Sequence, residues 1–202
     1  MSIAEKQPTR RDVSAQSTRA EIIHVARAAF ASQGYAAVKL EEVARGAQAT
    51  TGAIYHHFGG KAGLLLAVGE HVEQEVVAAI SARVPRGAAP WEAIRAVATA
   101  TLDLCSRPDV ARIIFKEAPN VLGARAWREV EMRYGLGGLE ALFRRVSDAG
   151  QLTPPEPALV TRLVMAALIE AVEAVVESDT EAVVEAIKLA VDRLLKAFHS
   201  DI

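Results

Sequence analysis

The residues best suited to chemical contacts lie between positions 50 and 61, where the sequence reads Thr-Thr-Gly-Ala-Ile-Tyr-His-His-Phe-Gly-Gly-Lys. Hydroxyl, phenol, imidazole and ammonium groups donate hydrogen bonds to phosphate oxygens, and an alanine methyl can pack against a thymine methyl. A glycine places no side chain between the backbone and a DNA groove. The pattern therefore predicts a short helix that binds DNA. Its predicted contact residues are Thr50, Thr51, Gly52, Ala53, Tyr55, His56, His57 and Lys61.

A tight turn joins this segment to a second short amphipathic segment, Leu40 to Ala47. Two short helices joined in this way form a helix-turn-helix, whose second helix can lie in the major groove of DNA. Thr50 is a suitable N-cap for the second helix because its hydroxyl can accept from a free backbone N–H group. Phe58 is expected in the core of the hairpin, whereas Tyr55 could pack there or face outward.

Longer helices are predicted on both sides of the hairpin. The first begins at a capping box of Thr18 and Glu21 and ends at Gly34, and capping boxes at Thr153 and Ser178 start the last two helices. The helices between them are expected over 62–84, 91–106, 108–115 and 126–149, with a separation at Pro119 and Gly123 and a bend near Gly135, Gly137 and Gly138.

The predicted fold class is all-α, with an N-terminal three-helix helix-turn-helix domain and a larger helical domain. The expected boundaries are a flexible arm over 1–17, the DNA-binding domain over 18–61 and the helical domain over 62–202. The chain is 51% hydrophobic but only 5% aromatic, as expected for helices packed on helices. Residues 1–61 carry eight basic and five acidic side chains, whereas residues 62–202 carry fifteen and twenty. This asymmetry favours two modules with different partners.

The N-terminal residues are polar, and the longest apolar stretch, Leu159 to Val176, is interrupted by Arg162, Glu170 and Glu173. Charges at these positions would be costly inside a bilayer. The sequence therefore predicts a soluble cytoplasmic protein that does not enter a membrane.

Patterns that could support catalysis or metal binding are weak. Glu21 and His24 have the Glu-x-x-His spacing of di-iron bundles, but the sequence has no second copy of it. His56 and His57 are adjacent, so they point in different directions. Cys105 is the only cysteine, which excludes an intrachain disulfide, and it is expected to be a buried thiol. We expect no enzymatic activity, no metal site and no cofactor.

The segment from Gly34 to Leu65 resembles the DNA-binding domain of the TetR/AcrR family of bacterial transcriptional regulators. By this resemblance Lys39 joins the contact residues that meet DNA. The resemblance also implies that the chain from Ala62 onward is a ligand-binding and dimerization domain, whose last two helices pair with their copies in a four-helix interface. The residues that carry the resemblance are Gly34, Tyr35, Val43, Ala44, the run from Thr50 to Phe58, Lys61, Leu64 and Leu65.

Two positions depart from the family pattern. Val38 stands where the family commonly has a Thr or Ser that caps the second helix, so one backbone N–H group loses a side-chain partner. Gln48 stands at the turn position that is usually glycine, with Gly46 two residues earlier. Gln48 is therefore expected in a backbone conformation that suits glycine better.

These observations predict a homodimeric, ligand-responsive regulator, most simply a repressor, that binds a palindromic site on double-stranded DNA and is released by a small-molecule effector. The alternative is a helical small-molecule-binding or scaffold protein that does not use its helix-turn-helix. Bulky or soft side chains of the middle helices are candidates for an effector pocket, although each could instead belong to the core. They are Cys105, Phe115, Trp127, Met132, Tyr134 and Met165.

Overall fold

The computed structural model describes residues 10–178 and 180–200, and their side chains from residue 15 onward. These residues form helices and turns, with one isolated antiparallel bridge between Leu152 and His199. The predicted all-α class is therefore confirmed. The chain divides into two compact units between Val68 and Gly69.

The first unit contains the predicted helical hairpin. Its helices are α1 (Arg10–Gln33), α2 (Leu40–Gly46), α3 (Thr51–Phe58) and the beginning of α4 (Lys61–Arg83). The predicted start of α1 at Thr18 is wrong, because the helix extends back to Arg10 and Thr18 lies inside it. Residues 1–9 of the predicted arm lie outside the described residues.

Apolar side chains at helical spacing hold this unit together. Ile22, Ala26 and Phe30 of α1 are buried, as are Val43 of α2 and Ile54 of α3. Because all three helices are short or one-sided, burial of these stripes against one another, rather than intrinsic helix propensity, stabilises the hairpin.

The turn after α2 is a Schellman motif. The N–H of Gln48 donates to the carbonyl of Arg45 at 3.2 Å, and the N–H of Ala49 donates to the carbonyl of Ala44 at 2.9 Å. Gln48 has a φ of 50°, a left-handed conformation that a side chain disfavours. The prediction made from the missing glycine is confirmed. Lys39, rather than Val38, is the N-cap of α2, and Val38 is buried; Lys39 supplies no side-chain cap, so this helix end does lack one.

The second unit is a bundle whose centre is α5 and α10. Helix α5 packs against α9, α10 and α11, and α10 also packs against α9 and α11. Ile94, Phe143 and Leu168 are buried at these contacts. Its elements after α4 are α5 (Pro90–Cys105), α6 (Pro108–Ala111), a π-helical turn (Arg112–Glu117), α7 (Ala118–Leu122), α8 (Ala124–Glu131), a second π-helical turn (Met132–Leu136), α9 (Gly137–Asp148), α10 (Pro157–Val176) and α11 (Glu181–Ala197).

Several predicted helix ends in this unit are wrong. Pro119 does not separate two helices, because it lies in the first turn of α7, where the missing N–H group needs no partner. The capping boxes at Thr153 and Ser178 are absent, since α10 and α11 begin after Glu156 and Thr180 with no side-chain cap. Near Gly135, where a bend was expected, the structure has the second π-helical turn.

Candidate functional site

Helix α3 presents a capped N-terminus and an open outer face. The N–H of Ala53 donates to Thr50 Oγ1 at 3.1 Å, which confirms Thr50 as the N-cap. The N–H groups of Thr51 and Gly52 belong to the first turn, which has no intrahelical acceptors for them. Gly52 is exposed, and a side chain there would meet only the hydroxyl of Thr50. An anion can therefore approach this helix end, where the helix dipole is positive.

The second turn of α3 carries the aromatic and imidazole groups. Tyr55 is 57% exposed, which resolves its alternatives in favour of the outward position, and its ring lies over Gly60. His56 is exposed and His57 is half-buried, with their rings 5.2 Å apart. Phe58, expected in the core, is only half-buried and is covered by the guanidinium of Arg19 at 5.2 Å from the ring centroid.

The two lysines predicted to contact DNA have different surroundings. Lys39 is exposed, and its ammonium lies 3.8 Å from the carboxylate of Glu42. The ammonium of Lys61 donates to the carbonyl of Ala36 at 3.2 Å and lies 4.6 Å from the centre of the Tyr35 ring. Lys61 therefore ties the start of α4 to the loop after α1, a role that the sequence did not reveal.

A second candidate site is a cavity of about 390 Å³ within the second unit. It lies among α4, α5, the two π-helical turns, α8, α9 and α10. Four of the six predicted effector-pocket residues line it, namely Cys105, Phe115, Tyr134 and Met165. Its apolar wall also includes Val76, Val77, Ile80, Val97, Ile114, Leu136, Leu139, Leu142, Leu168 and Ile169.

The other two predicted pocket residues do not line this cavity. Trp127 is a core residue, 2% exposed, whose ring packs where a Cβ at Gly69 would stand 2.7 Å away. Its buried indole N–H has no partner within hydrogen-bond distance in the described part of the chain, but it lies close enough to Glu131 to lower the pKa of that carboxyl. Met132 is 44% exposed. Its size and softness predicted a lining residue, but the π-helical turn directs it to the surface.

The cavity also contains two acidic residues that were not predicted from the sequence, Glu73 of α4 and Glu131 of α8. Glu73 is only 8% exposed, and burial together with the nearby charge of Glu131 raises its pKa to about 7. Burial also raises the pKa of Glu131, against the opposing charge of Arg128. One signal was available. Glu73 lies three, four and seven residues before Val76, Val77 and Ile80, so it shares their apolar stripe.

Cys105 is a neutral wall group. It is buried and unbridged, and burial, with the charge of Glu73 as a smaller cause, raises the pKa of its thiol to about 12. The hydroxyl of Thr101, another lining residue, donates to the carbonyl of Val97 at 2.8 Å. The thiol is therefore a poor nucleophile at neutral pH, as expected for a structural cysteine.

Two other kinds of site are absent from residues 10–178 and 180–200. No group of three or more His, Cys, Asp or Glu side chains in these ranges could hold a metal ion. No helix there has both the length and the apolar composition to cross a bilayer.

The last two helices expose an apolar surface. Leu159 and Leu163 of α10 are exposed, and so are Val183 and Leu194 of α11. Val183 and Leu194 share one side of α11 with small residues at helical spacing, which are also exposed. These are Ala186, Ala190 and Ala197.

Comparison with known proteins gives matches across both units. The family model described as "Bacterial regulatory proteins, tetR family" matches residues 22–68, and the model described as "Tetracyclin repressor-like, C-terminal domain" matches residues 91–198. The TetC protein of transposon Tn10 from Escherichia coli is 26% identical over 137 residues, which cover 68% of this chain and 69% of that protein.

Solved structures resemble the chain over most of its length. A TetR-family transcriptional regulator from Pectobacterium atrosepticum is 27% identical, with a TM-score of 0.77 over 96% of this chain and 99% of that one. SmeT, the repressor of the Stenotrophomonas maltophilia multidrug efflux pump SmeDEF, is also 27% identical, with a TM-score of 0.69 over 93% of each chain.

Proposed function

Because the chain belongs to the TetR family of bacterial transcriptional regulators, we propose that it is a repressor that binds a palindromic operator as a homodimer and is released by a small-molecule effector. The observation that carries this proposal is the outer face of α3, which combines a capped, open N-terminus with an exposed phenol and imidazole. SmeT, a relative over nearly the whole chain, is a repressor. Operator binding would place the protein in the cytoplasm with its DNA.

The proposed contacts divide by chemistry. The first-turn N–H groups of α3, with Tyr55 and His56, face phosphates, while Thr51, Gly52 and Ala53 approach base edges. Few of these groups can read bases directly, so DNA shape would contribute to specificity. His57 and Lys39 would reach flanking phosphates. Since the ammonium of Lys61 is held by Ala36, we propose that it acts chiefly by positioning α4 and adds a positive charge nearby.

We propose that α10 and α11 form the dimer interface. Their exposed leucines and valines would be covered by the same surfaces of the partner, which gives an isologous contact. The small side chains along α11 would let two helices approach closely. A two-fold dimer presents two copies of α3 to half-sites about 34 to 36 Å apart, or a small multiple of this spacing.

Ligand response is proposed to act through α4. This helix begins at Lys61 in the first unit and supplies Glu73, Val77 and Ile80 to the wall of the cavity. A ligand that binds one tilt of α4 better than another shifts the population of tilts, and with it the separation of the two recognition helices. The cavity is large enough for a small organic molecule.

The first test is binding to DNA fragments that the protein selects from a random pool. We expect a footprint with two-fold symmetry and an affinity that falls steeply with salt concentration. Absent or salt-insensitive binding would favour the alternative, a helical ligand-binding or scaffold protein that does not use its helix-turn-helix.

Variants of α3 then test the division of roles. Tyr55→Phe should weaken binding to every selected fragment by about tenfold, because it removes one hydrogen bond to a charged group. Thr51→Val and Ala53→Gly should change which bases are preferred. Thr153→Val, a matched change at an exposed threonine outside the helix-turn-helix and the cavity, should leave DNA affinity unchanged. Equal losses at all base positions for the three α3 variants would contradict this assignment.

A further inference from the structure

The charged side chains among the described residues that line the cavity of the second unit are all acidic. Its wall contains two carboxyl groups, Glu73 and Glu131, whereas none of its described lining residues is a Lys, Arg or His. The remaining polar groups of the wall are not basic side chains. They are the thiol of Cys105, the phenol of Tyr134 and the hydroxyls of Ser81 and Thr101. A charged ligand would therefore meet negative charge and no compensating positive charge from the wall.

Glu73 lacks the partner that a buried carboxylate needs. It is more than nine-tenths buried, and neither a hydrogen bond nor an opposite charge is among the causes that set its pKa. Its electrostatic neighbours are Glu131 and Cys105, which add negative or neutral surroundings. Arg128 acts on Glu131 but does not line the cavity. A buried ionised group without a partner is costly, so Glu73 stays protonated to a higher pH and, once ionised, is stabilised by a cationic partner.

We propose that the cavity binds lipophilic organic cations, whose positive head group pairs with Glu73 and Glu131 while the tail occupies the apolar wall. An effect of this binding on DNA binding depends on the proposed function, whereas the binding of the cation itself does not. Ile114, Phe115 and Leu168 provide the apolar contacts, and the ring of Phe115 can also face a cation, whereas the ring of Tyr134 already lies 5.9 Å from the guanidinium of Arg133. A ligand carboxylate would instead add a third negative charge among groups that already disfavour ionisation.

The proposal is tested with three probes that share an eight-carbon tail. Octyltrimethylammonium, 1-octanol and octanoate are titrated separately into the full-length protein at pH 8 by isothermal calorimetry. We expect the cation to bind at least tenfold more tightly than 1-octanol and octanoate to bind most weakly. Cation affinity should increase between pH 6 and pH 8 as Glu73 ionises, whereas 1-octanol affinity should not change.

Glutamine variants identify the groups that are responsible. The double variant Glu73→Gln, Glu131→Gln should lose the preference for the cation but keep 1-octanol affinity within about twofold, which also shows that the cavity is intact. The matched control Glu129→Gln removes an exposed carboxylate of α8 and should keep the full preference.

The outcomes separate this inference from the proposed function. Equal or tighter binding of octanoate or 1-octanol, a preference that persists in the double variant, or no binding of any probe at millimolar concentration would overturn the inference. DNA binding is measured on the same preparations. Intact operator binding without a cation preference overturns the inference alone, whereas a cation preference without operator binding overturns the proposed function alone.

Discussion

The stability of the unliganded protein should depend on pH through Glu73. Burial favours the protonated carboxyl, so the pKa of Glu73 rises from 4.5 to about 7 on folding. Between these values the folded state binds a proton that the unfolded state has released, and stability therefore decreases as pH rises. The penalty is absent below pH 4.5, grows up to about pH 7 and is complete at higher pH.

The size of the effect follows from the two pKa values. Each unit of pKa difference corresponds to about 1.4 kcal/mol, so ionised Glu73 should destabilise the folded state by about 3 kcal/mol at pH 8. Glu73→Gln keeps the shape of the neutral side chain and cannot ionise. We expect the variant to lie within about 1 kcal/mol of the wild type at pH 5 and to exceed its free energy of unfolding by about 3 kcal/mol at pH 8.

Urea unfolding at pH 5, 6, 7 and 8 measures this difference, at one protein concentration because dimerization would contribute to stability. Glu129→Gln, at an exposed position, should stay within about 0.5 kcal/mol of the wild type at every pH. Glu131→Gln should keep most of the pH dependence of Glu73, because burial is a larger cause of its raised pKa than the charge of Glu131. A Glu73→Gln difference that does not change with pH would refute this reasoning.

Two backbone positions give further predictions, each measured by urea unfolding. Gln48→Gly should raise the free energy of unfolding by about 0.5 to 1 kcal/mol, because the φ of 50° suits glycine. A loss of stability would show that the backbone at Gln48 is not strained. Gly69→Ala should lower it by about 1 to 3 kcal/mol, because the new Cβ would stand 2.7 Å from the buried ring of Trp127. Gly138→Ala, where nothing lies within 4 Å, should instead raise it by about 1 kcal/mol, and equal effects of both alanines would argue against the clash.

The hairpin could be predicted from the sequence because its signals are local. The hydroxyl of Thr50 accepts a hydrogen bond from the N–H of Ala53, three residues later. Gln48 takes the left-handed backbone conformation that its own turn requires. Neither depends on a distant part of the chain. The capping box expected at Thr18 shows the limit of such signals, because α1 continues through this sequence to Arg10 although residues 15–17 are exposed.

The cavity could be predicted only in part because its walls come from segments that are far apart in sequence. Residue size and softness selected Phe115 and Met165 correctly as wall groups, but they could not distinguish a wall from the core at Trp127. Glu73 was missed for a different reason. A charged residue in a helix usually marks the solvated face, and only the packing of α8 and the second π-helical turn near α4 makes this position buried.

The same carboxylate links the stability and binding predictions. A cation that pairs with ionised Glu73 removes the burial penalty, so a saturating cation should stabilise the wild type more at pH 8 than at pH 5. By linkage, Glu73→Gln must then have opposite effects in the two states: it stabilises the free protein at pH 8, but it weakens the stabilisation that the bound cation provides. A residue that only filled space would change both states in the same direction.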